Sequence, residues 1–305
     1  MRDRLKESHP FSFSKDWPEN PMVNSDMDKQ GYPYKTPVNT NRMYNPTWIP
    51  MDTQENYNRL KKKGYYSSNK FAVESFKYEL NKDGFRCDDF NTIDFSKKSI
   101  VYLGCSHTFG IGSPEEDIWC SMLHKLLQEH YNTEFNLINL GVPGGNIDDY
   151  LRFIPYFKKF NPYMIISGNP AVHRMIIPHS SVGNPHSSEP ILGYYSVGCE
   201  KTPGSKGFRE LLKYSDEYFI YKYNMTLEVV KSITDEMNIE FYESNILTDN
   251  EVRMEKVLNQ IKELKPSNTT NRDGGHFNRI VHDIVTSFYF KMITEREKNV
   301  YIRKT

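Results

Sequence analysis

The chain carries no surplus charge: 39 Lys and Arg balance 39 Asp and Glu over 305 residues. It therefore has no net field with which to gather nucleic acid or anionic lipid, and neither is expected as a partner. Cysteine is scarce as well, with Cys87, Cys105, Cys120 and Cys199 spaced widely and irregularly. That pattern fits neither a dense disulfide framework nor a CxxC metal knuckle, so no metal or cofactor is expected, although spacing alone leaves two disulfides open. No apolar run approaches bilayer length, and the opening stretch MRDRLKESHPFSFSKDW lacks the hydrophobic segment of a signal peptide. A soluble protein, cytoplasmic at synthesis, is the expectation.

What the chain has in quantity is aromatic residues and proline, with 21 Tyr, 18 Phe and 17 Pro. Residues 1–70 hold PENP, GYPYKTP and YNPTWIP between polar residues and show no sustained period of 3.6 or 2. This reads as an irregular arm whose rings, Phe11, Trp17, Tyr32, Tyr34, Tyr44 and Trp48, act as pegs. Such pegs would wrap the arm over its own domain, the preferred reading, or over a second subunit or a particle. Residues 71–97 form a leader: FAVESFKYEL has the content of one strand or a short helix, and NKDGF that of a turn.

Residues 98–298 repeat a regular theme. A buried strand is expected at 100–103, meeting Gly104, Cys105, Ser106 and His107 with no spacer. Ser113, Pro114 and Glu116 match a cap, a first-turn proline and a capping-box glutamate, with Asp117 as the alternative cap, before a helix facing inward through Ile118, Met122, Leu123, Leu126 and Leu127. A second strand at 135–140 ends in Gly141, Pro143, Gly144 and Gly145. Asn146 then caps a helix that Pro155 should kink or shorten.

A third strand at 163–166 ends in Ser167, Gly168 and Asn169. Two right-handed crossovers would bring all three strand ends to one edge of a parallel sheet. The expected fold class is therefore α/β, a three-layer α/β/α sandwich with a short parallel sheet. Residues 178–206 read as a long polar loop insertion, followed by helical character at 208–237 in one or two pieces. A fourth strand is expected at 239–242, a short helix at 251–264 and a final helix at 280–293. Between those last two helices, SNTTNRDGGHFN carries Asp273 and His276.

Ser106, at a strand end among permissive glycines, is a candidate nucleophile, and a serine hydroxyl needs a base. His276 is the candidate base and Asp273 the carboxylate that would fix its tautomer. The Ser106 amide, the Gly144 or Gly145 amide and the Asn169 side chain are candidate oxyanion donors. Each piece alone has a blander use, since a serine after a strand is usually a turn residue and DxxH in a polar loop is usually solvated surface. Their order along one chain is harder to obtain by accident. Cys105, His107 and His276 offer a competing use as a zinc site with a position open to water, although alternation along an extended chain would set Cys105 and His107 opposite Ser106. His173, His179 and His186 read as solvated loop or a substrate rim, and Cys120 and Cys199 as isolated thiols.

The order of these blocks resembles the SGNH hydrolases, also called the GDSL esterase and lipase superfamily. GCSHTFG is similar to the family's first block, NLGVPGG to its second, IISGNP to its third, and DGGH to the segment bearing the acid and the base. FKYELNKDGFR resembles a leader found before the core in members that modify polysaccharide acetyl groups. The resemblance spans roughly residues 76–290 and implies a flavodoxin-like sandwich. It implies Ser106, Asp273 and His276 as a triad, with Ser106, Gly144 (or Gly145 in the alternative register) and Asn169 around the oxyanion.

Two departures from the family pattern bear on the site. Cys105 stands where an acidic residue is usual, and His107 adds an imidazole, making both of them candidate modulators. In the third block Gly168 and Asn169 are adjacent, and Pro170 falls where the asparagine would be counted. Loss of that donor would cost about 3 kcal/mol of transition-state stabilisation. The implied activity is hydrolysis of a small acyl ester, O-acetyl on a carbohydrate included. The alternatives are acyl transfer by the same triad and a non-catalytic binding or structural protein.

Overall fold

The structure is a computed structural model that describes residues 47–49, 52–69, 72–81, 84–172, 174–179, 193–197, 216–244 and 270–304. In chain order its elements begin with α1 (Gln54–Lys62), α2 (Tyr65–Ser68), β1 (Ser99–Gly104), α3 (Ser106–Phe109), α4 (Trp119–Tyr131) and β2 (Asn136–Gly141). They continue with α5 (Asp148–Phe160), β3 (Pro162–Gly168), β4 (Met175–His179), β5 (Gly193–Val197), α6 (Asp216–Glu236), β6 (Glu240–Ser244) and α7 (Arg279–Lys304).

Strand β1 is central because every one of its residues is buried, so it can be covered on both faces. It pairs in parallel with β2 on one side and β3 on the other, and β6 extends β3, giving the order β2-β1-β3-β6. Successive side chains of β1 point to opposite faces. Val101 and Leu103 meet Tyr150, Phe153 and Phe157 of α5 and Tyr223, Leu227 and Val230 of α6. Ile100 and Tyr102 meet Trp119, Leu123 and Leu127 of α4 and Val281, Val285, Tyr289 and Ile293 of α7. These two clusters make the fold the expected three-layer α/β/α sandwich. The register places Gly104 beside both Gly141 and Gly168, so three strands end level on one edge.

Several local expectations are corrected. The stretch 1–70 is not irregular throughout: α1 forms because Thr53 caps it, accepting from the Asn56 amide at 3.2 Å, with Glu55 in the first turn and Arg59, Lys61 and Lys62 in the last. No residue of α1 is fully buried, so no 3.6-residue apolar stripe was there to find. Residues 72–80 form neither strand nor helix; Tyr78 and Leu80 instead enter a separate cluster with Ile49, Phe109 and Ile111. The NKDGF turn is present, with Gly84 N donating to Asn81 O at 2.9 Å.

Ser113, Pro114 and Glu116 do not cap α4; a 3-10 turn at Glu115–Asp117 intervenes and Ile118 stands at the cap position. Asn146 does serve α5, accepting from Asp148 N at 2.9 Å while Asp149 Oδ2 accepts from Asn146 N at 2.8 Å. Helix α5 runs unbroken through Pro155.

The insertion expected at 178–206 as plain loop contains regular structure: β5 lies within it and pairs antiparallel with β4, which runs into its start. The final helix reaches Lys304, well past 293. The helix expected at 251–264 and the residues Phe11, Trp17, Tyr32, Tyr34, Tyr44, His173, His186 and Cys199 lie outside the described residues. Among the described residues no helix is long and apolar enough to cross a membrane.

Candidate active site

Ser106 opens the single turn α3 directly beyond β1 and is 1% exposed. The turn lies flat on two strand ends, which only glycine permits. A β-carbon on Gly104 would stand 1.9 Å from Thr108 Oγ1, and one on Gly141 would stand 2.4 Å from Phe109 N. Asn139 pins the same turn by donating from Nδ2 to Thr108 O at 3.0 Å, while its Oδ1 accepts from Gly141 N at 2.9 Å. Because 106–109 is helical and not extended, the alternation expected for Cys105, Ser106 and His107 does not hold.

The loop before α7 carries Asp273 and His276. Asp273 Oδ2 lies 2.5 Å from His276 Nδ1, and its Oδ1 accepts from the amides of Gly275 at 3.2 Å and His276 at 3.1 Å. Nδ1 is thus committed to the carboxylate, which leaves Nε2 as the nitrogen that can take a proton. The loop is set against the Ser106 turn through His107, whose ring centroid is 4.0 Å from that of Phe277 and 5.0 Å from that of His276. Among the described residues no hydrogen bond joins Ser106 to His276, whose Nδ1 is held by Asp273.

Burial holds the His107 imidazole well below its ordinary pKa, with His276, His282 and Arg174 adding to the effect. It is therefore a neutral ring that packs.

No protein-family model matches the chain, and no curated protein does. It is similar in structure to a psychrotrophic esterase from Pseudoalteromonas sp., at 13% identity over 66% of this chain and 99% of that one, TM-score 0.34. It is likewise similar to an acetyl xylan esterase from Geobacillus stearothermophilus, at 15% identity over 64% and 93%, TM-score 0.32. A lipase/acylhydrolase from Enterococcus faecalis stands at 16% identity over 65% and 96%, TM-score 0.32. Others are described as an SGNH-hydrolase family esterase and a lipolytic protein of the G-D-S-L family.

The remaining residues singled out from an SGNH pattern are placed unevenly. Gly144 has φ +75° and open space where a β-carbon would stand. The Gly145 amide is engaged, donating to Val142 O at 2.7 Å. Asn169 follows the end of β3 and is fully buried in a network: Ser167 Oγ and the Tyr150 hydroxyl donate to its Oδ1, and its Nδ2 donates to Glu243 Oε2 at 2.6 Å. Lys231 lies 3.1 Å from the other oxygen of Glu243. Among the described residues no group of three His, Cys, Asp or Glu side chains could hold a metal ion, so Cys105, His107 and His276 do not assemble as one.

Two arginines escaped the sequence reading. Arg174 is close enough to His107 to depress its pKa and donates to Gly145 O at 3.4 Å, bringing a cation to the second block. Arg86 is fully buried and donates from one nitrogen to Gly110 O at 2.8 Å, Ser113 O at 3.0 Å and Phe109 O at 3.3 Å. It therefore clamps the turn that follows Ser106. Its position within FKYELNKDGFR was the only available signal.

Proposed function

We propose that the chain is a serine ester hydrolase of the SGNH type, acting on a small acyl ester, with O-acetyl on a carbohydrate as its substrate class. The observation that supports this most directly is the Asp273–His276 pair, bonded through Nδ1 and packed by way of His107 against the turn that opens with Ser106. In this reading Ser106 Oγ attacks the ester carbonyl and His276 Nε2 takes its proton. Asp273 holds the ring and stabilises the imidazolium without becoming protonated. The oxyanion is met by the Ser106 amide and, as the preferred second donor, the Gly144 amide. His276 then protonates the leaving alcohol, and a water deprotonated by the same ring releases the acyl group from Ser106.

The test compares the wild type with Ser106→Ala on p-nitrophenyl acetate and on acetylated xylo-oligosaccharide. Turnover by the wild type and a loss of about a thousandfold or more in the variant are expected. Equal rates in the two proteins would remove Ser106 as nucleophile. The engagement of Asn169 with Glu243 favours a second reading, a non-catalytic binding protein on the same fold. That reading predicts no turnover by the wild type and unaltered carbohydrate binding by Ser106→Ala.

A further inference from the structure

Four consecutive carbonyls in the loop that carries Asp273 each accept a hydrogen bond from a side chain of residues 47–69. Asn69 Nδ2 donates to Thr270 O at 2.7 Å, the Tyr65 hydroxyl to Asn271 O at 2.8 Å, the Tyr66 hydroxyl to Arg272 O at 2.5 Å, and Asn56 Nδ2 to Asp273 O at 2.7 Å. The amides of the same loop are satisfied from within: Asn271 N donates to His276 O and Gly274 N to Asn271 O, both at 2.8 Å, and those of Gly275 and His276 reach Asp273 Oδ1. A loop without regular structure must find partners for its buried backbone groups, and here the carbonyl half of them is supplied by another part of the chain.

The attachment is deeper at Arg272. Its buried guanidinium pairs with Asp52, donates to Thr47 O at 2.6 Å, and lies 4.2 Å from the ring centroid of Trp48. On the far side of Asp273, Leu60 of α1 sits where a β-carbon on Gly274 would be 2.9 Å from its Cδ1. The loop is therefore gripped on both sides of the carboxylate that aims His276.

We propose that residues 52–69, together with Thr47 and Trp48, are a strap that sets the aim of the Asp273–His276 pair, with Asn56, Tyr65, Tyr66 and Asn69 as positioning residues. Its effect on rate rests on the hydrolase reading; its effect on the Asp273–His276 hydrogen bond does not. Detaching the strap leaves the sheet in place while the carbonyls of 270–273 seek new partners and the imidazole loses its direction. The strap thereby couples an N-terminal segment to turnover without contact with the reacting atoms.

Tyr66→Phe removes one hydroxyl and keeps the ring contacts with Tyr57 and Tyr65, whose centroids lie 4.8 and 5.1 Å away. Asn56→Leu removes the other donor nearest Asp273 and keeps the branched outline with the same number of side-chain heavy atoms. In the full chain, two quantities are measured for each variant and for the double variant: steady-state kinetics on p-nitrophenyl acetate, and the low-field proton resonance of His276 Nδ1–H. The resonance is assigned by its absence in His276→Gln. Each variant should lower kcat about tenfold with KM within twofold, and shift or broaden the resonance.

A folded double variant with kcat and resonance unchanged overturns the proposal. So does a fall in unfolding temperature with both of them unchanged, which would mark a packing role alone. Should the wild type hydrolyse nothing, the hydrolase reading fails and the resonance alone decides for or against the strap.

Discussion

A β-carbon placed on Gly112 would stand 3.1 Å from Asp273 Oδ1. The turn after Ser106 and the loop of Asp273 and His276, 161 positions apart (273 minus 112), thus meet with no side chain between them. Gly112 also holds φ +79°, a left-handed conformation unfavourable to any other residue except asparagine or aspartate. Gly112→Ala should cost about 1–2 kcal/mol of stability and displace the carboxylate, lowering kcat more than it raises KM. Urea unfolding and steady-state kinetics on the same preparation check both halves.

Asp273→Asn tests the tautomer argument. The replacement keeps shape, yet its amide nitrogen can present a donor to Nδ1 and favour the wrong ring tautomer. A fall in kcat on the order of 10³ to 10⁴ is expected with KM and unfolding temperature little changed. A rate near that of the wild type would show that His276 is not oriented through Asp273.

Arg86→Met addresses the clamp on the same turn. The guanidinium is wholly buried, and its carbonyl partners Phe109, Gly110 and Ser113 would lose their donor. Its flat face also lies 5.1 Å from the Tyr78 ring centroid, a contact methionine only partly replaces. Stability should fall by about 3 kcal/mol, with activity falling beside it. Chemical denaturation with an unchanged midpoint would contradict the clamp.

Acid sensitivity follows from buried imidazoles. Burial pushes His124 down to about 4, and burial followed by the charges of Arg86 and His276 pushes His282 down to about 3. The unfolded chain takes up protons near pH 6.5 that these folded sites refuse, so stability is fully present above that pH and is lost as pH falls toward 4 and 3. Asp149, raised to about 6 chiefly by burial, acts in the opposite sense, its folded form holding a proton that the unfolded chain releases. His282→Gln should flatten the stability profile between pH 4 and 6 by one proton, about 1.4 kcal/mol per pH unit. Denaturation midpoints across that range measure the slope, and identical slopes in the two proteins would refute the assignment.

Cys120 should be inert in the native protein. Its thiol, pushed up to about 12 chiefly by burial, donates to Thr108 O at 3.4 Å beneath the Ser106 turn. Iodoacetamide at pH 8 is expected to leave it unmodified until the chain is unfolded, as read by peptide mass spectrometry. Modification at the rate of a free thiol would show that the turn opens.

The sheet was legible because its signal is local. Apolar runs ending in glycine need no partner to be recognised, and the alternation of Ile100 and Tyr102 against Val101 and Leu103 already assigns two faces. Asp273 and His276, three residues apart, were legible for the same reason. Helix α1 was not, since it buries no residue fully and so carries no stripe, and its cap, Thr53, looks like any other threonine in a polar stretch. Asn169 shows the opposite failure: a motif can name a residue, but the carboxylate that takes its amide, Glu243, lies 74 positions away.

By itself, then, the amino-acid sequence determined the layered α/β core and the level strand ends, and it offered Ser106, Asp273 and His276 as candidates worth joining. Each of those follows from periodicity or spacing within a few turns of chain. Only the tertiary structure decided that Asp273 is bonded to His276 Nδ1, that His107 is a neutral packing ring, and that Asn56, Tyr65, Tyr66 and Asn69 grip the loop at 270–273. The grip joins residues more than 200 positions apart, and hydrogen bonds at that separation leave no periodic trace because each side needs only one polar atom in the right place.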